Sequence, residues 1–165
     1  MEPGQPALER PSPAPDDIAH VIAPPPLIYL VPLAGALLLN RWAPLPGLPA
    51  PWRWVVGALF LVLGGMLGTA ISAFRRARTK PQPWLPTTAL VVDGPYRFTR
   101  NPMYLGFTLI YSGIAVLANS TWPFVLLPAV LVVMQLFVIR REERYLERKF
   151  GDAYRAYCAR VRRWL

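Results

Sequence analysis

Between Gly94 and Gly106 the chain reads Gly-Pro-Tyr-Arg-Phe-Thr-Arg-Asn-Pro-Met-Tyr-Leu-Gly, which sets two arginines, two tyrosines and an asparagine against an apolar stretch. Asn101-Pro102 has the form of a helix start: Asn can cap free N–H groups, and Pro at the first helical position has no N–H to leave unbonded and a preset φ. The helix is then expected from about Met103. Its N-terminus carries the positive end of the macrodipole, and Arg97 and Arg100 add two cations within about one turn. Such an arrangement can receive a carboxylate or phosphate; equally, it can be a basic loop that anchors a membrane helix.

A second group of chemistry-bearing residues follows Ile139. At about 100° per residue, Leu146, Phe150, Ala153, Tyr154, Tyr157, Val161 and Trp164 share one helical stripe, and Arg141, Arg144, Arg148, Arg155 and Arg162 lie opposite. Glu142 and Glu143 sit at the two edges of the apolar stripe. Carboxylates placed there need a cation, hydrogen-bond donors or a ligand. Two readings stand side by side: a structural bridge to Arg97 or Arg100, or at least one carboxylate facing a polar group of a cofactor. With one cysteine, Cys158, and one histidine, His20, neither an internal disulfide nor a Cys/His zinc site can form. The chemistry must run on carboxylates, tyrosines, arginines and a bound cofactor, with no metal.

The elements that position these residues are apolar. Hydrophobic residues make up 54% of the 165 residues, too many for an ordinary soluble domain, and the length suits one domain. The formal charge of +9 points to anionic lipid headgroups and not to nucleic acid, because the basic residues flank apolar spans. Residues 1–23 are rich in proline with scattered acids and are expected to form a disordered cytoplasmic tail, leaving 24–165 as the single domain. They lack the basic start and adjoining apolar core of a cleavable signal peptide, so the first span is expected to remain.

Four spans are expected: Pro26–Leu39, kinked or shortened by Pro32; Trp54–Phe74, uncharged throughout; Met103–Leu117; and Trp122–Ile139 with Pro128 inside. Gly64 and Gly68 give a Gly-x-x-x-Gly spacing suited to close intramolecular helix packing. The prolines at 81, 83 and 86 predict an extended path for the connection between spans two and three. The tight turn Asn119-Ser120-Thr121 forces spans three and four to be antiparallel, which brings residues 94–106 beside residue 140. Residues 75–102 hold six Lys and Arg and residues 140–165 hold nine, against none in that turn, so both basic segments and both termini are expected on the cytoplasmic side. The fold class is thus all-α, an integral membrane protein of about four transmembrane helices plus a C-terminal amphipathic cytoplasmic helix.

The pattern Gly-Pro-Tyr-x-x-x-Arg-Asn-Pro-x-Tyr-x-Gly resembles the signature of the isoprenylcysteine carboxyl methyltransferase family, grouped with the phospholipid methyltransferases. Thr79-Lys80-Pro81, Pro83, Pro86 and Leu90-Val91 upstream resemble bacterial members. So do Arg141-Glu142-Glu143-Arg144-Tyr145-Leu146, Phe150-Gly151, Tyr154, Tyr157 and Arg162-Arg163-Trp164-Leu165 downstream. The likeness runs from about Phe74 to the end; residues 1–73 carry none.

The resemblance implies a bacterial inner-membrane enzyme that uses S-adenosyl-L-methionine, releases S-adenosyl-L-homocysteine and methylates a lipophilic small molecule or lipid, with an isoprenylcysteine-like carboxylate favoured. It implies cofactor contacts from Thr88, Ala89, Leu90, Val91, Tyr96, Arg100, Asn101, Pro102, Met103, Tyr104 and Glu142, in the half spanning about 75–165. Arg100 would hold the methionine carboxylate, Arg140 or Arg141 an anionic acceptor, and Glu142 or Glu143 would be the acids able to take a proton. Many relatives carry His where this chain has Asn101, which cannot accept a proton near neutral pH. An Arg-x-Pro-x-Tyr-like segment also occurs in membrane sterol reductases, which makes an NADPH-dependent reductase the second reading and a non-catalytic membrane scaffold the third.

Overall fold

A computed structural model describes residues 17–164, and among these every regular element is helical. In order they are α1 Pro25–Trp42, α2 Trp52–Gly68, α3 Ala70–Arg76, a 3-10 turn at Gly94–Arg97, α4 Pro102–Leu117, α5 Trp122–Val133, a π-helical stretch at Met134–Ile139, and α6 Arg140–Arg160. Two continuous helical stretches, Trp52–Arg76 and Trp122–Arg160, are long and apolar enough to cross a membrane. The protein is an all-α membrane protein. Its apolar residues face outward as well as inward: Trp54, Val55, Leu59, Val62 and Met66 of α2 are exposed, as suits a helix in hydrocarbon.

α1 keeps its helix through Pro32 and runs three residues past the expected end, through Asn40, Arg41 and Trp42. It buries Tyr29, Leu33 and Ala36, one stripe at helical spacing, against α4 and α5. The second span is one rod with a break at Thr69, where the Thr69 N–H bonds back to the Met66 carbonyl at 3.1 Å.

α2 and α4 form the most extensive helix pair, and glycines make it close. A Cβ on Gly64 would lie 2.9 Å from the Gly106 carbonyl oxygen, and one on Gly113 would lie 3.1 Å from that of Gly57. The contact therefore uses Gly57 and Gly64 against Gly106 and Gly113. Gly65 and Gly68, by contrast, face open space.

The turn after α4 is closed by a Schellman pair of bonds, Ser120 N–H to Ala115 O at 3.0 Å and Asn119 N–H to Val116 O at 3.0 Å. Asn119 takes the left-handed conformation this needs (φ 52), which Asn tolerates better than most residues. α5 then returns antiparallel and continues without a break into α6. The π-helical stretch adds a residue to the register, which turns α6 by about 100° relative to a plain α-helix. It buries Met134, Val138 and Ile139 in the central core with Tyr29, Tyr104 and Tyr111.

The amphipathic stripe of α6 continues across a kink at Gly151 (φ 51, ψ −122). Tyr154, Tyr157 and Val161 are buried with Leu146 and Phe150 packed on them, at the spacing one helical stripe requires, and only Ala153 at its edge is exposed. Trp164 lies past the helix end at Arg160 and reaches the central core instead. Of the expected tail, residues 1–16 lie outside the described residues. Residues 17–23 are seated on the protein: Lys149 Nζ donates to Asp17 Oδ2 at 2.6 Å, Ala19 N–H to Pro83 O at 3.2 Å, and Arg141 Nη1 to His20 O at 2.6 Å.

Candidate active site

Four pieces of chain meet around one cavity: the extended connection after α3, the 3-10 turn with the start of α4, the first turns of α6, and Ala19 from the N-terminal segment. Its cavity volume is about 100 Å³, and about 810 Å³ of space lies between its walls when the open solvent at its mouth is included. Local chemistry sets each wall. Gly94 adopts φ 62, which only glycine does freely, and this bends the chain into the turn that buries Tyr96. The Tyr157 hydroxyl then donates to the Tyr96 carbonyl at 2.8 Å, tying the turn to α6. Farther back, the Tyr145 hydroxyl of α6 accepts the Thr87 N–H at 3.0 Å and holds the proline-rich connection down.

The two acidic residues have different fates. Glu142 Oε1 accepts the Tyr104 hydroxyl at 2.6 Å, which joins α4 to α6 across the cavity. Burial raises the Glu142 carboxyl to about 7; the Tyr104 bond opposes that shift, and the Glu143 charge adds to it. Glu142 lies past Ile139, where the charged part of α6 leaves the apolar span. Glu143 is ion-paired, with Arg163 Nε on Oε1 at 2.8 Å and Nη2 on Oε2 at 2.7 Å, and with Arg100 Nη2 3.4 Å from Oε1. Burial pushes the Tyr96, Tyr154 and Tyr157 phenols well up, so they stand as neutral hydroxyls.

Of the residues expected from the sequence, Ala89, Leu90, Val91, Tyr96, Arg100, Asn101, Met103, Tyr104, Glu142 and Glu143 all line the cavity. Thr88 does not: its N–H donates to Thr79 Oγ1 at 2.9 Å, away from the lining. Pro102 is buried at the first turn of α4, where it serves the helix start. Arg97 is exposed and away from the lining. Arg140 is exposed, Arg141 is taken up by the His20 carbonyl, and neither lines the cavity. The expected side-chain cap by Asn101 is absent. Its amide is drawn to the C-terminal segment instead, where Nδ2 donates to the Arg163 carbonyl at 2.8 Å.

Sequence reasoning missed Arg163 and Gln82 as individual residues. Arg163 was visible only as part of a C-terminal signature. Gln82 stood among prolines with no pattern around it, yet both it and Arg100 carry a buried polar atom without a hydrogen-bond partner, Gln82 Oε1 and Arg100 Nε, and both line the cavity.

Comparison with known proteins adds the family. Residues 52–153 match the phospholipid methyltransferases, a stretch that includes α2, α4, the cavity lining from Phe74 up to Leu146, and both carboxylates. The chain belongs to the phospholipid methyltransferase family. It is thus a membrane methyltransferase of lipid-like substrates. A protein of Haemophilus influenzae, described as uncharacterized, is 41% identical over 63 residues, which is 38% of this chain and 100% of that relative. No solved structure matches the chain.

Proposed function

We propose that this methyltransferase uses S-adenosyl-L-methionine and methylates a lipophilic acceptor in the cavity between the start of α4 and α6. The observation that carries the reading is the pair of unmet polar groups in the cavity wall. Arg100 Nε is a buried donor and Gln82 Oε1 a buried acceptor, each without a partner. Buried groups of this kind cost free energy unless water or a ligand satisfies them, and a ligand that does so gains by their placement. A methionine end, with one carboxylate and one ammonium, has the complementary pair.

Arg100 would donate to the carboxylate, while Gln82 would accept from the ammonium. Phe74, Leu90, Val91, Tyr96 and Met103 would form the wall for the adenine. When bound, the cofactor supplies a methyl group on a sulfonium, which a nucleophile displaces in line. The chain's own part is to hold the acceptor in that line and keep water out.

A carboxylate acceptor, as in an isoprenylcysteine, is nucleophilic once ionised and needs no base. This is the acceptor that the Gly94–Gly106 motif favours. An amine acceptor is the second reading, favoured by Glu142: a carboxyl raised to about 7 is matched to taking a proton from an ammonium as it becomes the nucleophile. Glu143, held by Arg163, is not free for that work. The excess of Lys and Arg in the basic segments supports a cavity on the cytoplasmic side of a bacterial inner membrane, facing the supply of the cofactor.

The test is direct. In detergent, S-adenosyl-L-homocysteine should raise the melting temperature and NADPH should not. Labelled S-adenosyl-L-methionine should then transfer its methyl group within a panel of prenylcysteine analogues, phosphatidylethanolamine and alkyl thiols. Stabilisation by NADPH alone, or transfer confined to acceptors without an apolar tail, would refute the proposal.

A further inference from the structure

We propose that Arg163 is a positioning residue that takes up the charge of Glu143 and so keeps Arg100 available to an anionic group in the cavity; this rests on the reading of Arg100 as the donor to the cofactor carboxylate. After α6 the backbone becomes extended at Val161 (φ −122, ψ 128) and runs back across the entry to α4. Three bonds fix it there. Arg100 N–H donates to Arg162 O at 2.9 Å, Thr99 Oγ1 to Arg163 O at 3.1 Å, and Asn101 Nδ2 to Arg163 O at 2.8 Å. The Arg163 side chain is thereby delivered to Glu143 in the two-pronged form, at 2.8 and 2.7 Å, which is the strongest way for a guanidinium to meet a carboxylate.

Arg100 has only the weaker share of that carboxylate, one approach at 3.4 Å; its Nη1 donates to Cys158 Sγ, and its Nε remains unbonded. The charges make the consequence plain. Two guanidiniums meet the Glu143 carboxylate, and the neighbouring Glu142 is only partly ionised near neutral pH, so the cluster keeps a net positive charge at the cavity wall. The side chains of Arg100 and Glu143 are only 15% and 17% exposed, so that charge is poorly screened and favours an anion. Remove the Arg163 guanidinium, and Glu143 has Arg100 as its one cation. A largely buried carboxylate does not stay unpaired when a cation lies within reach. Arg100 would close onto Glu143, and the anion receptor would be lost without any change in the residue that forms it.

The experiment compares two ligands that share an adenosine. S-adenosyl-L-homocysteine carries the amino-acid carboxylate, and 5′-methylthioadenosine does not. By calorimetry on the full chain in detergent, Arg163→Ala should weaken S-adenosyl-L-homocysteine about tenfold, the size of one charged hydrogen bond, and leave 5′-methylthioadenosine within about twofold. Arg163→Ala/Glu143→Gln should recover most of the loss, because Arg100 then has no carboxylate to close onto. Arg163→Lys, which keeps the charge but not the fork, should fall between parent and Arg163→Ala, and serves if Arg163→Ala does not fold. Equal weakening of both ligands, or no recovery in the double variant, would overturn the role given to Arg163. A parent protein that binds neither ligand would overturn the cofactor assignment first, and this inference with it.

Discussion

At the scale of single residues, the contrast between Glu142 and Glu143 is set by what each carboxylate touches. Glu143 meets two guanidiniums; Glu142 meets one phenol in a buried place. The Glu142 carboxyl is therefore raised from 4.5 to about 7 in the folded chain. Between those values the folded protein keeps a proton that the unfolded chain has released. The contribution of Glu142 to stability is thus full below about pH 4.5 and is lost as pH rises through about 7, by about 3 kcal/mol in all. Thermal unfolding in detergent at pH 5 and pH 8 should show the parent losing more stability than Glu142→Gln on going to the higher pH. Equal losses would mean that the carboxyl titrates normally.

At the scale of elements, the α2–α4 contact decides how tightly the start of α4 is held. Its closeness comes from the absence of side chains at Gly57, Gly64, Gly106 and Gly113, which lets backbone meet backbone. Gly64 and its neighbour Gly65 make a matched pair for measurement. A methyl group on Gly64 would stand 2.7 Å from Ile110 Cγ1 and 2.9 Å from the Gly106 carbonyl, whereas one on Gly65 would meet nothing within 4 Å. Gly64→Ala should cost about 1–3 kcal/mol as the helices are forced apart. Gly65→Ala should be neutral or slightly stabilising, by up to about 1 kcal/mol, since Ala is the better helix former. Melting temperatures that fall equally in both would show that close approach is not what holds the pair.

At the scale of the whole molecule, charge is segregated by face. The basic connection and α6 lie at the cavity end of α4, and the short uncharged turn at Asn119–Thr121 lies at the other end. With Cys158 replaced by serine, single cysteines at the exposed positions Ala118 and Arg97 can report the orientation. A membrane-impermeant maleimide added to intact cells should label Ala118→Cys and not Arg97→Cys. The reverse pattern would place the cavity outside and separate it from its cofactor supply.

What the sequence determined by itself is what depends on local order. Apolar runs of helical length dictate membrane helices, Asn119 fits a left-handed turn, Gly94 permits the bend that buries Tyr96, and paired motifs mark the two sides of the cavity. Even the meeting of Tyr104 with Glu142 was within reach, because a tight turn leaves two consecutive spans no choice but to lie antiparallel. Only the tertiary structure decided the rest. Which of two adjacent glutamates is paired depends on Arg163, 20 residues farther on, arriving by an extended segment whose course is fixed by bonds to Thr99, Arg100 and Asn101. The same bonds take Asn101 away from its expected cap. The helix ends at Arg160 and the chain turns extended at Val161, so a stripe continued at helical pitch misplaces Trp164, which reaches the central core. Hydrophobic periodicity is a property of neighbours along the chain; charge pairing, the course of the segment after α6 and the filling of a cavity are settled by groups far apart in sequence, whose positions no local pattern records.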